Sequence, residues 1–327
     1  LGRGLLEILM ILVVLLLSYY IAAWIKDIIA LPQIFFAMII SSGIGMYFSN
    51  WKPGPTMRSL LFGGIPMVLA AVFIIGGSRL LDAFQLDGML QVMTYGFFGQ
   101  LFWMFVGVAL LIFFGKSNKV GILAPGMAGS LSHSGLTGAC TAGDLGDTAK
   151  ERAPVMINVP FVGHIFVFTI LAASASRGKL YVVPGLIVVL IGIFFTIWSL
   201  RTLKKSNNED SKEIKGLMLF SLGWQLIAVF GGFLLLHFAG LSLEYAAMAN
   251  SAAISHFGLF ASIQGGMFGA ESASLISFIF AMPFLIHPVV FGMFGKAMAY
   301  DGAMPKRTVA ILAIIGIVGV VFSLVFL

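Results

Sequence analysis

Ser132-His133-Ser134-Gly135-Leu136, followed downstream by Pro160-Phe161-Val162-Gly163-His164, returns later in the chain as Ser255-His256-Phe257-Gly258-Leu259 and Pro283-Phe284-Leu285-Ile286-His287. The matched residues share one offset of 123 (255 − 132, 256 − 133, 283 − 160, 287 − 164). At the same offset and without a gap, Gly143 meets Gly266, Gly146 meets Gly269 and Phe168 meets Phe291. The chain has 5 histidines, and all but His237 lie in this pattern. Apolar segments coincide easily in Leu or Val but rarely in scarce His, Pro and Gly at a fixed spacing. The pattern therefore reads as an internal duplication. It extends upstream, where Gly99-Gln100-Leu101 lies under Trp224-Gln225-Leu226 at an offset of 125 (225 − 100), so the second copy is two residues shorter before its histidine.

Composition sets the class. The chain is 60% hydrophobic and 10% charged, with a mean hydropathy of +1.05, where a soluble domain carries about 25% charged residues. Long continuous apolar runs indicate membrane-spanning helices rather than a β-barrel, whose strands alternate with period two. The net charge of +6 suits loops beside anionic lipid and gives no reason to expect a nucleic-acid partner. Cys140 is the one cysteine, which excludes an internal disulfide.

Apolar stretches of about 20 residues, enough to cross a bilayer, fall at 4–25, 30–49, 59–79, 92–115, 119–143, 154–174, 180–200, 216–239, 243–266, 273–298 and 307–327. The expected fold is all-α and polytopic, with about 11 transmembrane helices. Residues 1–54 supply two leading helices, 55–178 a first four-helix repeat, 179–300 a second, and 301–327 a closing helix. The spans 154–174, 180–200 and 216–239 separate the two histidine-bearing stretches. Three crossings would point both copies the same way, as parallel tandem repeats rather than inverted ones. In that topology Lys and Arg are nearly balanced between the two sides, so charge does not set the orientation.

The stretch Gly126-Met127-Ala128-Gly129-Ser130-Leu131-Ser132-His133-Ser134-Gly135 resembles the interrupted helices of sodium-coupled glutamate and bicarbonate transporters. Those families are built on inverted repeats, which conflicts with the parity above, and no residue roles are carried over from them.

Each histidine pair sits symmetrically about a polar tip, 144–152 in the first copy and the neighbourhood of Glu271 in the second. About 10 helical residues from a tip is roughly 15 Å, half the hydrocarbon thickness, so all four histidines fall near the bilayer midplane. Ionisable residues at that depth mark a pathway or a bound group. A single one is as readily a polar tie between helices. Two readings follow. In the first, 119–143 and 243–266 are interrupted helices of a transporter or permease for a small solute or ion. Ser132, His133, Ser134, Thr137 and Thr141 then line one half-site, and Ser255, His256, Ser262 and Gln264 the other, with Glu271 as a proton or cation contact. In the second, the pairs His133/His164 and His256/His287 are axial ligands of haem b in a membrane subunit of an electron-transfer complex, with a bare metal site on the four histidines as a related option. Gln100, Gln225 and Asn158 read as polar ties between helices, and His237 as structural. No hydrolase, metalloprotease or P-loop signature is present. The expected setting is the cell (inner) membrane. The expected partners are the lipid bilayer and a small solute or ion, with further copies or subunits of a membrane complex as candidates.

Overall fold

The computed structural model describes residues 2–26, 40, 44, 84–206, 209–281, 286–299 and 302–327. Apart from residues 40 and 44, the expected spans 30–49 and 59–79 lie outside these residues. The described part is helical throughout: α1 (Gly2–Lys26), α2 (Met89–Phe113), α3 (Val120–Leu131), α4 (Ser134–Ala142), α5 (Asp147–Ser176), α6 (Val182–Lys204) and α7 (Asp210–Leu226). A single π-turn, Ile227–Gly231, then leads into α8 (Gly232–Phe238), α9 (Leu243–Ile254), α10 (Phe257–Gln264), α11 (Ala270–Ala281), α12 (His287–Ala299) and α13 (Lys306–Val325). Among the described residues, 5 helices are long and apolar enough to cross a membrane: α1, α2, α6, α7 continued into α8, and α13. The count becomes 6 if α5, bent by 40° between Pro160 and Gly163, is taken as one span. The bend has a local cause, since Pro160 has no N–H to give the preceding turn. The chain is thus a multi-pass, all-helical membrane protein.

Burial sorts these helices into inner and outer. The apolar windows of α2 and of α7–α8 are 61% and 72% buried, whereas those of α6 and α13 are 28% and 33% buried. Large apolar side chains such as Leu190, Phe194, Ile314 and Val318 face outward from α6 and α13, as they would toward lipid. Close-packed glycines set the inner contacts. On α13, Gly316 and Gly319 abut Phe102 and Phe98 of α2; on α6, Gly192 meets Gly223 of α7.

The direction of the short helices departs from the expected topology. A Cβ on Gly121, at the start of α3, would lie 2.8 Å from Thr148 Cβ at the start of α5. Gly129, near the end of α3, abuts the backbone carbonyl of Met156, farther along α5. Helices α3 and α5 therefore run side by side in the same direction. For α5 to begin where α3 began, α4 must carry the chain back. The stretch 119–143 is a hairpin that enters and returns on one side. The stretch 243–266 behaves likewise, because the Glu244 carboxylate, at the start of α9, packs on Gly269 at the start of α11. At about 1.5 Å per residue, the 12-residue arms α3 and α9 are each about 18 Å long, which takes them roughly to mid-membrane. The expectation of parallel repeats takes both stretches as continuous spans, whereas each is two short helices that turn back. With each hairpin turning back, the first opens at the end where α5, α7 and α13 begin, and the second opens at the opposite end.

Glycine places the return turns. Gly143 and Gly146 have φ of +91° and +87°, and Gly266 and Gly269 have +84° and +112°. This left-handed backbone is costly for any side chain with a Cβ. Of the six glycines that coincide in the sequence at the offset of 123, these four turn the chain out of its hairpins, while Gly135 and Gly258 lie within the returning arms.

Candidate functional site

Both hairpins break at the same dipeptide. Helix α3 ends at Ser132 (φ 50°, ψ 38°) and α9 ends at Ser255 (φ 52°, ψ 38°), each in the left-handed region. A non-glycine residue there costs roughly 1–2 kcal/mol, so the surrounding packing must hold both turns. The next residue is extended, His133 at φ −73°, ψ 105° and His256 at φ −84°, ψ 105°. These two extended residues pair with one another as an isolated antiparallel bridge. The two hairpin tips therefore meet backbone to backbone. They do so beside the middle of α2 and of α7–α8, where Gly99 touches Ala253 and Gln225 reaches Ser132. Irregular backbone at membrane depth is tolerated where protein or a water-lined cavity supplies its hydrogen bonds.

Each tip histidine caps the helix that follows it. His133 Nδ1 accepts the Leu136 N–H at 3.2 Å, and His256 Nδ1 accepts the Leu259 N–H at 3.1 Å. A ring nitrogen that accepts bears no proton, so a neutral imidazole here carries its proton on Nε2. His256 Nε2 lies 2.9 Å from His164 Nε2. With His256 donating, His164 accepts at Nε2 and bears its own proton on Nδ1. In this assignment the pair uses one tautomer of each ring.

The histidine rings pair between the two matched stretches of sequence. His164 and His256 have ring centroids 4.8 Å apart, as do His133 and His287. His164 stacks on Phe168 at 5.5 Å and 21°, and His287 stacks on Phe291 at 5.5 Å and 19°. Each histidine pair has one glutamine beside it. Gln225 donates to Ser132 Oγ at 3.1 Å and lies 3.5 Å from His164 Nε2; Gln100 lies 3.4 Å from His133 Nε2. Since His133 donates from Nε2, the Gln100 amide is best assigned with its oxygen toward the ring. All four histidines and both glutamines are buried. The groups that meet here are imidazole, amide, hydroxyl and aromatic ring.

The candidates named from the sequence divide accordingly. Ser132, His133, Ser255 and His256 form the tips, and His164 and His287 join them. The backbone of Ser134 opens α4; its side chain lies outside the described residues. Thr137 follows on α4, its N–H bonded to the His133 carbonyl and its own carbonyl accepting from Thr141 Oγ1. Gln264 and Glu271 lie elsewhere, exposed at the mouth of the second hairpin, where Gln264 Oε1 accepts from Ser277 Oγ. The pairings His133/His164 and His256/His287 expected for haem are not the pairs that come together. Gln100 and Gln225 read from the sequence only as ties; their match at the 125 offset, each as the residue after a glycine or tryptophan and before leucine, is the signal that they belong to the site. Among the described residues no three His, Cys, Asp or Glu side chains stand together as a metal site would require.

One departure from the matched pattern adjoins the site. Asn250 Nδ2 donates to the Val229 carbonyl inside the π-turn at 2.8 Å, and the Asn250 side chain packs directly on Gly232. Met127 and Gly107 occupy the corresponding places in the first copy and touch each other. A polar side chain thus satisfies the carbonyl that the π-turn displaces, whereas the regular α2 needs only an apolar neighbour.

At the mouth of the first hairpin lies a cavity of about 650 Å³ bounded by Lys119, Gly121, Thr148, Arg152, Glu213 and Gly302. Arg152 spans it, with Nη1 2.7 Å from Glu213 Oε2 and Nη2 3.1 Å from Asp210 Oδ1. Arg152 and Glu213 are each 11% exposed, whereas Asp210 is 83% exposed. Glu213→Gln is expected to lower stability by about 2 kcal/mol, because it leaves the shielded Arg152 charge without the carboxylate it is paired with. Asp210→Asn is expected to change it by less than about 1 kcal/mol, as for a solvated pair. Thermal unfolding of the two variants in detergent checks the contrast, and equal losses would contradict it.

Compared with protein-family models, with curated proteins and with solved structures, the chain has no match.

Proposed function

We propose that the protein is a transporter or permease for a small solute or ion, with its binding site at the meeting hairpin tips: Ser132, His133, Ser255, His256, His164, His287 and the two glutamines. The observation that carries this reading is the pairing of two interrupted segments, one entering from each side and each broken at Ser-His, backbone against backbone near mid-membrane. Transporter sites are built at such places because broken helices free backbone groups for a ligand without exposing them to lipid.

The same geometry supports a duplicated architecture, in a frame different from 55–178 and 179–300. The first unit is α2 to α6 and the second α7 to α13, inverted relative to each other. Helix α2 packs on α9, and α7 packs on α3. Helix α13 packs on α2, and α6 packs on α7. Each of these contacts of one unit thus has its counterpart in the other. The offset change from 125 to 123 falls in a loop, 114–119 in the first unit and 239–242 in the second. With inverted units, the resemblance to transporters built on inverted repeats no longer conflicts with topology.

The His164–His256 contact joins the two units. An added proton finds no free lone pair in it: His256 Nδ1 holds the Leu259 N–H and His164 Nε2 holds the His256 proton. Protonation must break either a helix cap or the contact between units, which makes proton coupling the natural mode of action.

The test is uptake into proteoliposomes of solutes chosen by their stabilisation of the purified protein, a saturable ligand raising stability by mass action. Wild type is expected to accumulate the solute, while His133→Ala and His256→Ala remain folded and do not. Normal flux in both variants would sink the proposal. A visible spectrum of the protein, oxidised and then dithionite-reduced after expression with haem supplied, is expected to be flat. A b-type band would make the histidines ligands instead, and it would require His164 and His256 to release the Nε2 atoms they share.

A further inference from the structure

The distribution of charge fixes which end of the molecule faces the cytoplasm, once the hairpins are known to turn back. The helix ends sort into two sets. One set surrounds the mouth of the first hairpin: the end of α2, the starts of α3, α5, α7 and α13, and the ends of α6 and α12. The cavity lining joins Lys119, Thr148, Asp210 and Met298, and Lys119 pairs with Ala303 through the backbone. The other set surrounds the second hairpin, where Gly88 before α2 touches Tyr245 of α9 and Gly269 touches Glu244. Helix α5 ends and α6 begins at this second end.

Lysine and arginine are divided very unevenly between the two. At the first end stand Lys116 and Lys119 after α2, Lys150 and Arg152 in the first turns of α5, and Arg201, Lys204 and Lys205 at the end of α6. Lys212 and Lys215 at the start of α7, Lys296 in the last turn of α12, and Lys306 and Arg307 at the start of α13 complete the set. At the second end, the described residues after residue 84 supply only Arg177 and Lys179. Acidic residues occupy both ends, Asp147, Asp210 and Glu213 at the first, Asp87, Glu244 and Glu271 at the second, and carry little weight in orientation. Short loops rich in Lys and Arg are retained on the cytoplasmic side, against the anionic inner leaflet.

We infer that the end bearing the mouth of the first hairpin faces the cytoplasm, its basic rim lying against the anionic headgroups of the inner leaflet. The cavity of about 650 Å³ then opens inward. The outer mouth differs for a reason visible in the sequence. Gly121, which borders the cavity, corresponds at the 123 offset to Glu244, and the Glu244 side chain fills the equivalent space by packing on Gly269. On the transporter reading, this arrangement is the inward-facing form. The orientation itself does not depend on what the protein carries, so its failure and the failure of the transport assay are separate results.

Single cysteines at two exposed loop-end serines, introduced in a Cys140→Ala background, test it. Ser176→Cys lies at the end of α5 and Ser211→Cys at the start of α7; neither alters a charge. A membrane-impermeant maleimide is expected to modify Ser176→Cys in intact cells and to reach Ser211→Cys only after permeabilisation. The reverse pattern, or modification of both in intact cells, overturns the inference. Alkaline phosphatase joined after Leu327, where α13 finishes at the second end, gives an independent reading. Active enzyme is expected, and inactive enzyme at normal expression overturns the inference even where labelling is poor.

Discussion

Gly129→Ala is expected to destabilise the protein by about 3 kcal/mol, the upper range for overpacking a closed interior. The added Cβ would land on the Met156 carbonyl oxygen and within 3.0 Å of Ser221 Oγ. Ser221 on α7 can turn its hydroxyl away, but α5 cannot yield by rotating a side chain, because the obstacle there is the Met156 backbone. Gly129 lies three residues before the break at Ser132, so any shift of α3 that relieves the clash carries the tip with it. Loss of solute binding should therefore accompany the lower thermal midpoint. Gly126→Ala is the control: its nearest neighbour is Leu217 Cδ2 at 3.3 Å, a side chain able to move. If the two variants unfold alike, α3 and α5 do not meet backbone to backbone at Gly129.

His256→Ala carries the second large effect. It removes the cap on α10, worth about 1 kcal/mol, and leaves the buried His164 Nε2 without its donor, a further loss of about 1–3 kcal/mol. His256→Asn separates the two terms, because asparagine caps a helix well but is too short to keep the 2.9 Å contact to His164. Its stability should fall between wild type and His256→Ala, with transport as poor as in His256→Ala. A double-mutant cycle of His164→Ala with His256→Ala should give a coupling of about 1 kcal/mol or more, as contacting residues do. The cycle of His164→Ala with His133→Ala should be closer to additive, since those rings belong to different pairs. Equal coupling in both cycles would mean that the cluster acts as one body rather than as two bridges between units.

Much of the site is legible in the amino-acid sequence alone. The Ser-His repetition locates both helix breaks to the residue. Four of the six matched glycines are the turn glycines, and Phe168 and Phe291 are equivalent ring partners of His164 and His287. These features are local: a left-handed turn, a cap three residues long and a stacking partner four residues on are all encoded by near neighbours. Gln264 and Glu271 are misplaced by sequence reasoning for the complementary reason. Proximity along the chain puts them near a histidine-bearing stretch, but a hairpin that turns back carries its second arm to the mouth and away from the tip.

Hydropathy and scarce repeated residues are properties of composition and spacing, so the order of amino acids is enough to give the class of the chain, a multi-pass helical membrane protein, and to mark its two Ser-His breaks. Direction comes from packing. A stretch of 25 small and apolar residues, 119–143, is as compatible with a crossing as with a return, and nothing in its hydropathy separates the two; the packing of Gly121 on Thr148 and of Glu244 on Gly269 does. Packing also chose the histidine partners, and it gathers most Lys and Arg of the described residues after residue 84 at one end.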